Sequence, residues 1–278
     1  MIETKFVKIK GINVAYREMG VGEILLFIHG MGSSLVFDEI IEPLSKYLKV
    51  IVIDLPGFGK SEKPDLDYNI DFYVNILFEF CKEINLEKIN VAGLSLGGMI
   101  AIEFAYRYPQ SVNNLLVLSS SGLNPIAKML NNRIFYLVFS FVMKYIIFSN
   151  KWLTKRFQIG SYFNHKKINP IVFRKFFEYI KYPESKKAWL SALKNVFNVS
   201  EEFVNHVREI RVNTIIIWGK NDKTIPLIIA DKFSKLITNS KMFVIDECGH
   251  PITVEQPSKV IEIIVNELVL KKVGQPPD

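Results

Sequence analysis

Six short runs of apolar, largely β-branched residues punctuate the chain: ILLFIH (24–29), KVIVID (49–54), INVAG (89–93), NLLVLSS (114–120), TIIIWG (214–219) and KMFVID (241–246). Runs this short and continuous, bounded by turn residues, predict strands buried on both faces. An opening pair, KFVKIK and INVAYRE, alternates apolar and polar positions on either side of Gly11 and predicts a hairpin. Segments of helical length and period lie near 38–48, 69–84, 97–108, 226–237 and 257–271. Strand–helix alternation predicts the α/β class, a mostly parallel sheet with helices on both faces. The rhythm breaks over 122–210, which reads as helical throughout with no convincing strand. The expected division is therefore 1–121 as the first part of a core, 122–210 as a helical insertion, and 211–278 as the second part of the core. The tail VGQPPD follows neither period and is expected to be disordered.

Charge sharpens that division. Residues 122–210 hold 15 Lys and Arg against 5 Glu, while the remainder holds 20 against 23, so the net +7 of the chain comes from the insertion. The same segment carries 18 of the 35 aromatic residues. Its stretch IFYLVFSFVMKYIIF (134–148) is nearly apolar all round, so it is either buried or faces something greasy. The favoured expectation is a lid over the active site with its lysines on a solvated outer face. A lipid surface or a second copy in a homodimer is the alternative, and nucleic acid is not expected. No uncharged apolar stretch of 18 residues exists, so no transmembrane helix is predicted. The start MIETKFVKIKG lacks the pattern of a secretory signal, and Cys81 and Cys248 form no disulfide framework, which together predict a cytoplasmic protein. With four scattered histidines the cysteines make no zinc spacing.

In a parallel sheet the functional crevice lies at the carboxyl ends of the strands. Those ends carry His29-Gly-Met-Gly-Ser-Ser, Asp54-Leu-Pro-Gly-Phe-Gly-Lys-Ser, the turn VAGLSLGG around Ser95, Lys-Asn-Asp222 and Glu-Cys-Gly-His250. The turn is G-x-S-x-G between a strand and a helix, a spacing that holds a serine hydroxyl out of the sheet as a nucleophile. A serine hydroxyl needs a base, and an imidazole titrating near neutrality can supply one. His250 is the candidate base; His29 has a structural hydrogen-bonding role, and His165 and His206 are solvated or packing residues of the insertion. Asp222 is the candidate that orients the imidazole, with Asp246 as its local rival. The order Ser, Asp, His is that of the nucleophile-elbow triad. Ser119, Ser120 and Ser121 lie at another strand end with no elbow to present them. The N–H of Leu96, at a helix N-terminus, is a candidate oxyanion donor. Nucleotide binding is not supported: GFGKS lacks a phosphate loop's first glycine, where Asp54 stands, and GMGSSL lacks the last glycine of a dinucleotide turn.

The segments FIHGMG, VIDLPGFGKS, GLSLGG, IIIWGKNDKTIP and ECGHPITVEQP together resemble the recurring patterns of the α/β-hydrolase superfamily in order and spacing. The resemblance covers about 190 residues outside the insertion and matches nothing closely within it. It implies an α/β-hydrolase sheet flanked by helices, with a helical cap inserted after the sixth strand. It also implies a second oxyanion donor at Met31, with Gly32 as the neighbouring alternative. The activity it implies is a serine hydrolase cleaving small, apolar carboxylic esters of short to medium acyl length through an acyl-enzyme, without metal or organic cofactor. The alternatives are an enzyme of the same fold that cleaves a carbon–carbon bond in vinylogous diketones or opens an enol-lactone, and a non-catalytic ligand receptor. Carbon–carbon hydrolases commonly carry tryptophan after the catalytic histidine, where this chain has Pro251. A dehalogenase would carry aspartate at the elbow.

Overall fold

The computed structural model describes residues 2–123, 133–197 and 200–271, without the side chains of 195–197. The tail VGQPPD lies outside the described residues. Eight strands form one sheet: β1 (Lys5–Ile9), β2 (Ile12–Met19), β3 (Ile24–Ile28), β4 (Lys49–Ile53), β5 (Ile89–Leu94), β6 (Val112–Leu118), β7 (Asn213–Gly219) and β8 (Ser240–Ile245). Their order is β1-β2-β4-β3-β5-β6-β7-β8. Only the pairs β1–β2 and β2–β4 are antiparallel, the first of them the predicted hairpin. From β4 to β8 every pairing is parallel.

The period of two along each strand divides the core into two layers. Leu26 and Ile28, Ile51 and Ile53, Leu115 and Val117, and Ile216 and Trp218 all face one cluster. Their neighbours Leu25 and Phe27, Val50 and Val52, Leu116 and Leu118, and Ile215 and Ile217 face the other. Both faces therefore need covering, which explains why the runs are apolar without alternation. Helices α1 (Asp38–Ser45) and α11 (Pro257–Val265) cover one face through Ile40, Leu44, Val260 and Ile264. Helices α2 (Ile70–Glu83) and α3 (Leu96–Arg107) cover the other through Tyr73, Leu77, Phe80, Ile100 and Phe104.

The run expected at 114–120 forms its strand two residues earlier. Ser119 has φ of 40°, outside extended backbone, so β6 stops at Leu118 and the serines lie beyond it. After β6 the described residues are helical up to β7: α4 (Arg133–Phe141), continuing as a π-helical stretch Val142–Ile147, α5 (Lys151–Ile159), α6 (Pro170–Ile180), α7 (Pro183–Phe197) and α8 (Glu201–Glu209). Their starts are marked in the sequence. Asn150, Asn169 and Ser200 each accept hydrogen bonds from the first-turn N–H groups of α5, α6 and α8. Phe148 packs edge-on against Trp189 at 4.8 Å, joining the end of α4 to α7. Ser191 Oγ accepts from Tyr68 N–H at 2.9 Å, tying α7 to the loop before α2. α9 (Ile228–Leu236) and the short α10 (Ile252–Glu255) complete the order.

Candidate active site

Ser95 stands between the last residue of β5 and the first of α3, with φ of 57° and ψ of −118°. A non-glycine residue in that region is strained, and the surroundings hold it there. Its N–H donates to Leu118 O at 3.0 Å, and its carbonyl accepts from Gly98, Met99 and Ser121 N–H. The flanking glycines are required by close approach. A Cβ on Gly93 would lie 2.0 Å from Gly97 O, and one on Gly97 would lie 2.1 Å from Ile28 O. The turn therefore presses into the end of β3, which brings the His29–Gly32 loop alongside. A Cβ on Gly30 would stand 2.9 Å from Ser95 Cβ.

That loop holds the candidate oxyanion donors. Gly32 N–H is spent on Gly30 O at 2.8 Å, which removes Gly32 as the alternative to Met31. Among the described residues no hydrogen bond recruits Met31 N–H or Leu96 N–H. Leu96 also begins the 12-residue helix α3, whose positive end favours a developing anion.

Asp222 and His250 meet across β7 and β8. His250 Nδ1 donates to Asp222 Oδ2 at 2.8 Å, and Asp222 Oδ1 accepts from the N–H groups of Thr224 and Ile225, both at 2.8 Å. The carboxylate is thus held at both oxygens, and its side chain is fully buried. Asp246, the rival acid, is 75% exposed and paired with Lys220 at 2.6 Å, away from the imidazole. No hydrogen bond joins Ser95 Oγ to His250 among the described residues, so the structure closes the Asp–His half of the candidate triad and leaves the Ser–His half open. Ligand-free sites often tighten that contact only when substrate is bound.

The other candidates fall elsewhere. His29 is buried, its Nε2 accepting from Leu55 N–H at 2.9 Å and its Nδ1 donating to Gly30 O. Burial holds its imidazole below the ordinary pKa, partly opposed by Asp54. His206 stacks on Tyr106 at 3.9 Å and pairs with Glu103 at 2.9 Å, while His165 is exposed. Ser119, Ser120 and Ser121 are buried. Burial pushes the Cys248 thiol up to about 12, so it offers no competing thiolate beside His250. Among the described residues no cluster of His, Cys, Asp and Glu could hold a metal ion.

Two carboxylates that the sequence reading did not single out build the site's frame. Asp54 accepts from Ser34 N–H at 2.7 Å and Lys60 N–H at 2.9 Å, binding the His29–Ser34 loop to the loop after β4. Glu255, fully buried, accepts from Gly249 N–H at 2.7 Å, Asn164 N–H at 2.8 Å and Phe163 N–H at 3.1 Å. His250 N–H donates to Ser161 O at 2.9 Å. The turn after α5 is thereby locked to the loop that carries the imidazole.

An α/β-structured sheet with a serine elbow and a buried Asp–His pair defines a hydrolase fold, and the model for the alpha/beta hydrolase fold family matches residues 23–257. The chain belongs to that family. It is 27% identical, over 91% of its length and 86% of the relative's, to the 2-hydroxy-6-oxo-6-(2'-aminophenyl)hexa-2,4-dienoic acid hydrolase of Metapseudomonas resinovorans. It is 26% identical to the monoacylglycerol lipase ABHD6 of Bos taurus, over 88% of this chain and 74% of that one. The crystal structure of a serine hydrolase involved in carbazole degradation superposes with a TM-score of 0.81 at 26% identity, covering 97% of this chain and all of that one.

Proposed function

We propose that the chain is a serine hydrolase that attacks a carbonyl through Ser95 and cleaves a carbon–carbon bond beside it. The reading rests on one observation above all: Asp222 is fixed at both oxygens and holds His250 with Nδ1 protonated. Nε2 is then the nitrogen free to take a proton. In the proposed reaction Ser95 Oγ attacks the carbonyl carbon and His250 Nε2 removes the hydroxyl proton. Asp222 stabilises the resulting imidazolium, and the N–H groups of Met31 and Leu96 receive the oxyanion. The leaving carbon departs with the bonding pair and takes the proton from His250. Water, deprotonated by the same imidazole, then releases the acyl group from Ser95.

The choice of bond is supported by relatedness, since a hydrolase of a 6-oxo-dienoic acid is similar over nearly the whole chain. Once the 2-hydroxyl proton of such a dienoate has moved to C5, giving the 2,6-dioxo-3-enoate, the C5 carbanion that departs from C6 is delocalised onto the C2 ketone, so a site equipped for ester attack can break that carbon–carbon bond. Carboxylic ester hydrolysis is the second reading. Pro251 favours it, standing where carbon–carbon hydrolases commonly carry tryptophan, and so does the likeness to a monoacylglycerol lipase.

The test is kcat/KM on a 2-hydroxy-6-oxo-dienoate, followed by loss of its absorbance, against p-nitrophenyl esters from acetate to palmitate. The expected result is faster turnover of the dienoate, with Ser95→Ala abolishing turnover and acyl-enzyme burst. Faster ester turnover, peaking at intermediate acyl length, transfers the assignment to the second reading. A Ser95 that neither turns over substrate nor labels with a fluorophosphonate overturns both and leaves a ligand receptor.

A further inference from the structure

Helix α4 and its π-helical continuation carry two apolar stripes where a surface helix has one. Phe139, Met143 and Ile147 pack inward against the core. On the opposite side Leu137, Val138 and Phe141 are each 59% exposed and Tyr145 is 56% exposed. Ile146 is 46% exposed, and Trp152, beyond a 120° bend on α5, is 67% exposed. A solvated outer face would be polar at these positions. The sequence reading placed lysines there; the structure places aromatic and aliphatic side chains among them.

Residues 133–159 contain Arg133, Lys144, Lys151, Lys155 and Arg156 and no acidic residue. Two of these cations flank exposed rings. Lys144 Nζ lies 5.1 Å from the Tyr145 ring centre, and the Arg156 guanidinium lies 6.0 Å from that of Trp152. Apolar side chains with aromatic–basic pairs beside them fit the boundary between acyl chains and charged headgroups.

We propose that this face seats on an anionic lipid surface. Charge selects that occupant over the others. A two-fold dimer through the same face would bring a segment with five cations and no acid against its own copy. Nucleic acid would gain nothing from Leu137, Val138 and Ile146. Among the described residues no single helix is long and apolar enough to cross a membrane; the inward stripe of α4 packs on the protein core, which leaves the outward stripe to meet lipid from one side, as a helix lying along the interface does. The proposal does not depend on which bond Ser95 attacks.

The experiment is flotation of the full chain with vesicles of phosphatidylcholine alone and of phosphatidylcholine mixed with phosphatidylglycerol, at low and high salt. Binding to the anionic vesicles, weakened by salt, is the expected result. Lys151→Gln with Lys155→Gln should lower it about 25-fold, at about fivefold per positive charge near the surface. Leu137→Asp with Phe141→Asp should abolish it. Both double variants should label with a fluorophosphonate in the absence of vesicles as the wild type does, so a failed catalytic assignment and a failed docking surface give different readings. Equal flotation with neutral and anionic vesicles, or flotation untouched by the lysine substitutions, overturns the proposal. So does a dimer that dissociates in the Leu137→Asp, Phe141→Asp variant without any vesicle binding, which assigns the face to a second copy.

Discussion

Asp222→Asn isolates the tautomer of His250 without emptying the site. The native carboxylate accepts at Oδ1 from Thr224 and Ile225 N–H and at Oδ2 from His250 Nδ1–H. An asparagine has one oxygen for these three donors. If its amide nitrogen took the Oδ1 position it would face the N–H groups of Thr224 and Ile225, and the buried one, on Ile225, costs about 1–3 kcal/mol when left unpaired. The nitrogen therefore goes to the Oδ2 position, where it donates to His250 Nδ1. The imidazole must then carry its own proton on Nε2, the nitrogen that has to accept from Ser95. The fold is kept and the base is lost.

Removing a triad's tautomer control in this way lowers kcat about 10⁴-fold, or about 5.5 kcal/mol of transition-state stabilisation. The assay is kcat near neutral pH on the best substrate of the panel, beside Asp246→Asn as the matched control. Asp246 is exposed and, among the described residues, pairs with Lys220 and not with the imidazole, so its variant should stay within about twofold of wild type. A loss under tenfold for Asp222→Asn, or a larger loss for Asp246→Asn, would refute the assignment of Asp222.

Gly30→Ala should lower kcat by about 100-fold and lower the urea midpoint as well, because its new methyl would lie 2.9 Å from Ser95 Cβ and 3.3 Å from Leu94 O, so that the elbow or the oxyanion loop has to shift; kinetics beside a urea melt check both. Glu255→Gln should cost about 1–3 kcal/mol in a urea titration, since its amide must turn an N–H either toward the N–H of Asn164 or toward those of Gly249 and Phe163. Burial keeps His29 neutral in the folded chain, while the unfolded chain takes up its proton below about pH 6.5. The stability this histidine contributes is therefore whole above that pH and lost as pH falls toward its depressed value, and the gap in urea midpoint between wild type and His29→Gln should narrow from pH 7.5 to pH 5.

The sheet and the Asp222–His250 pair were legible because both depend on local signals. A strand buried on both faces has to be apolar at every position, and residues at the carboxyl ends of parallel strands are gathered by topology alone. The frame around the site has no such signal. Asp54 and Glu255 act by accepting main-chain N–H groups, and the donors to Glu255 at Phe163 and Asn164 lie some 90 positions away. A main-chain donor has no residue type, so nothing in the sequence marks who will meet these carboxylates. The one available clue was negative: Glu255 follows three apolar or small residues in a stretch that has to be buried, where an unpartnered carboxylate would be too costly.

The insertion is harder to read for the opposite reason, an excess of signal. Over 134–148 the apolar positions fill nearly every turn, so the hydrophobic pattern has no polar side from which to take a direction. The inward stripe of Phe139, Met143 and Ile147 and the outward one of Leu137, Phe141 and Tyr145 have the same spacing and nearly the same composition. Hydrophobicity reports that a side chain is better out of water and says nothing about which surface removes it. Only the distribution of charge separates the two stripes. Lys144 and Arg156 stand beside exposed rings, where a solvent-facing helix of a soluble domain would alternate both signs; Asp67 lines the hollow beside Leu137 and Phe141, but Lys144, Lys187 and Lys194 line it too, and a segment of 27 residues with five cations and no acid of its own is matched by an anionic interface.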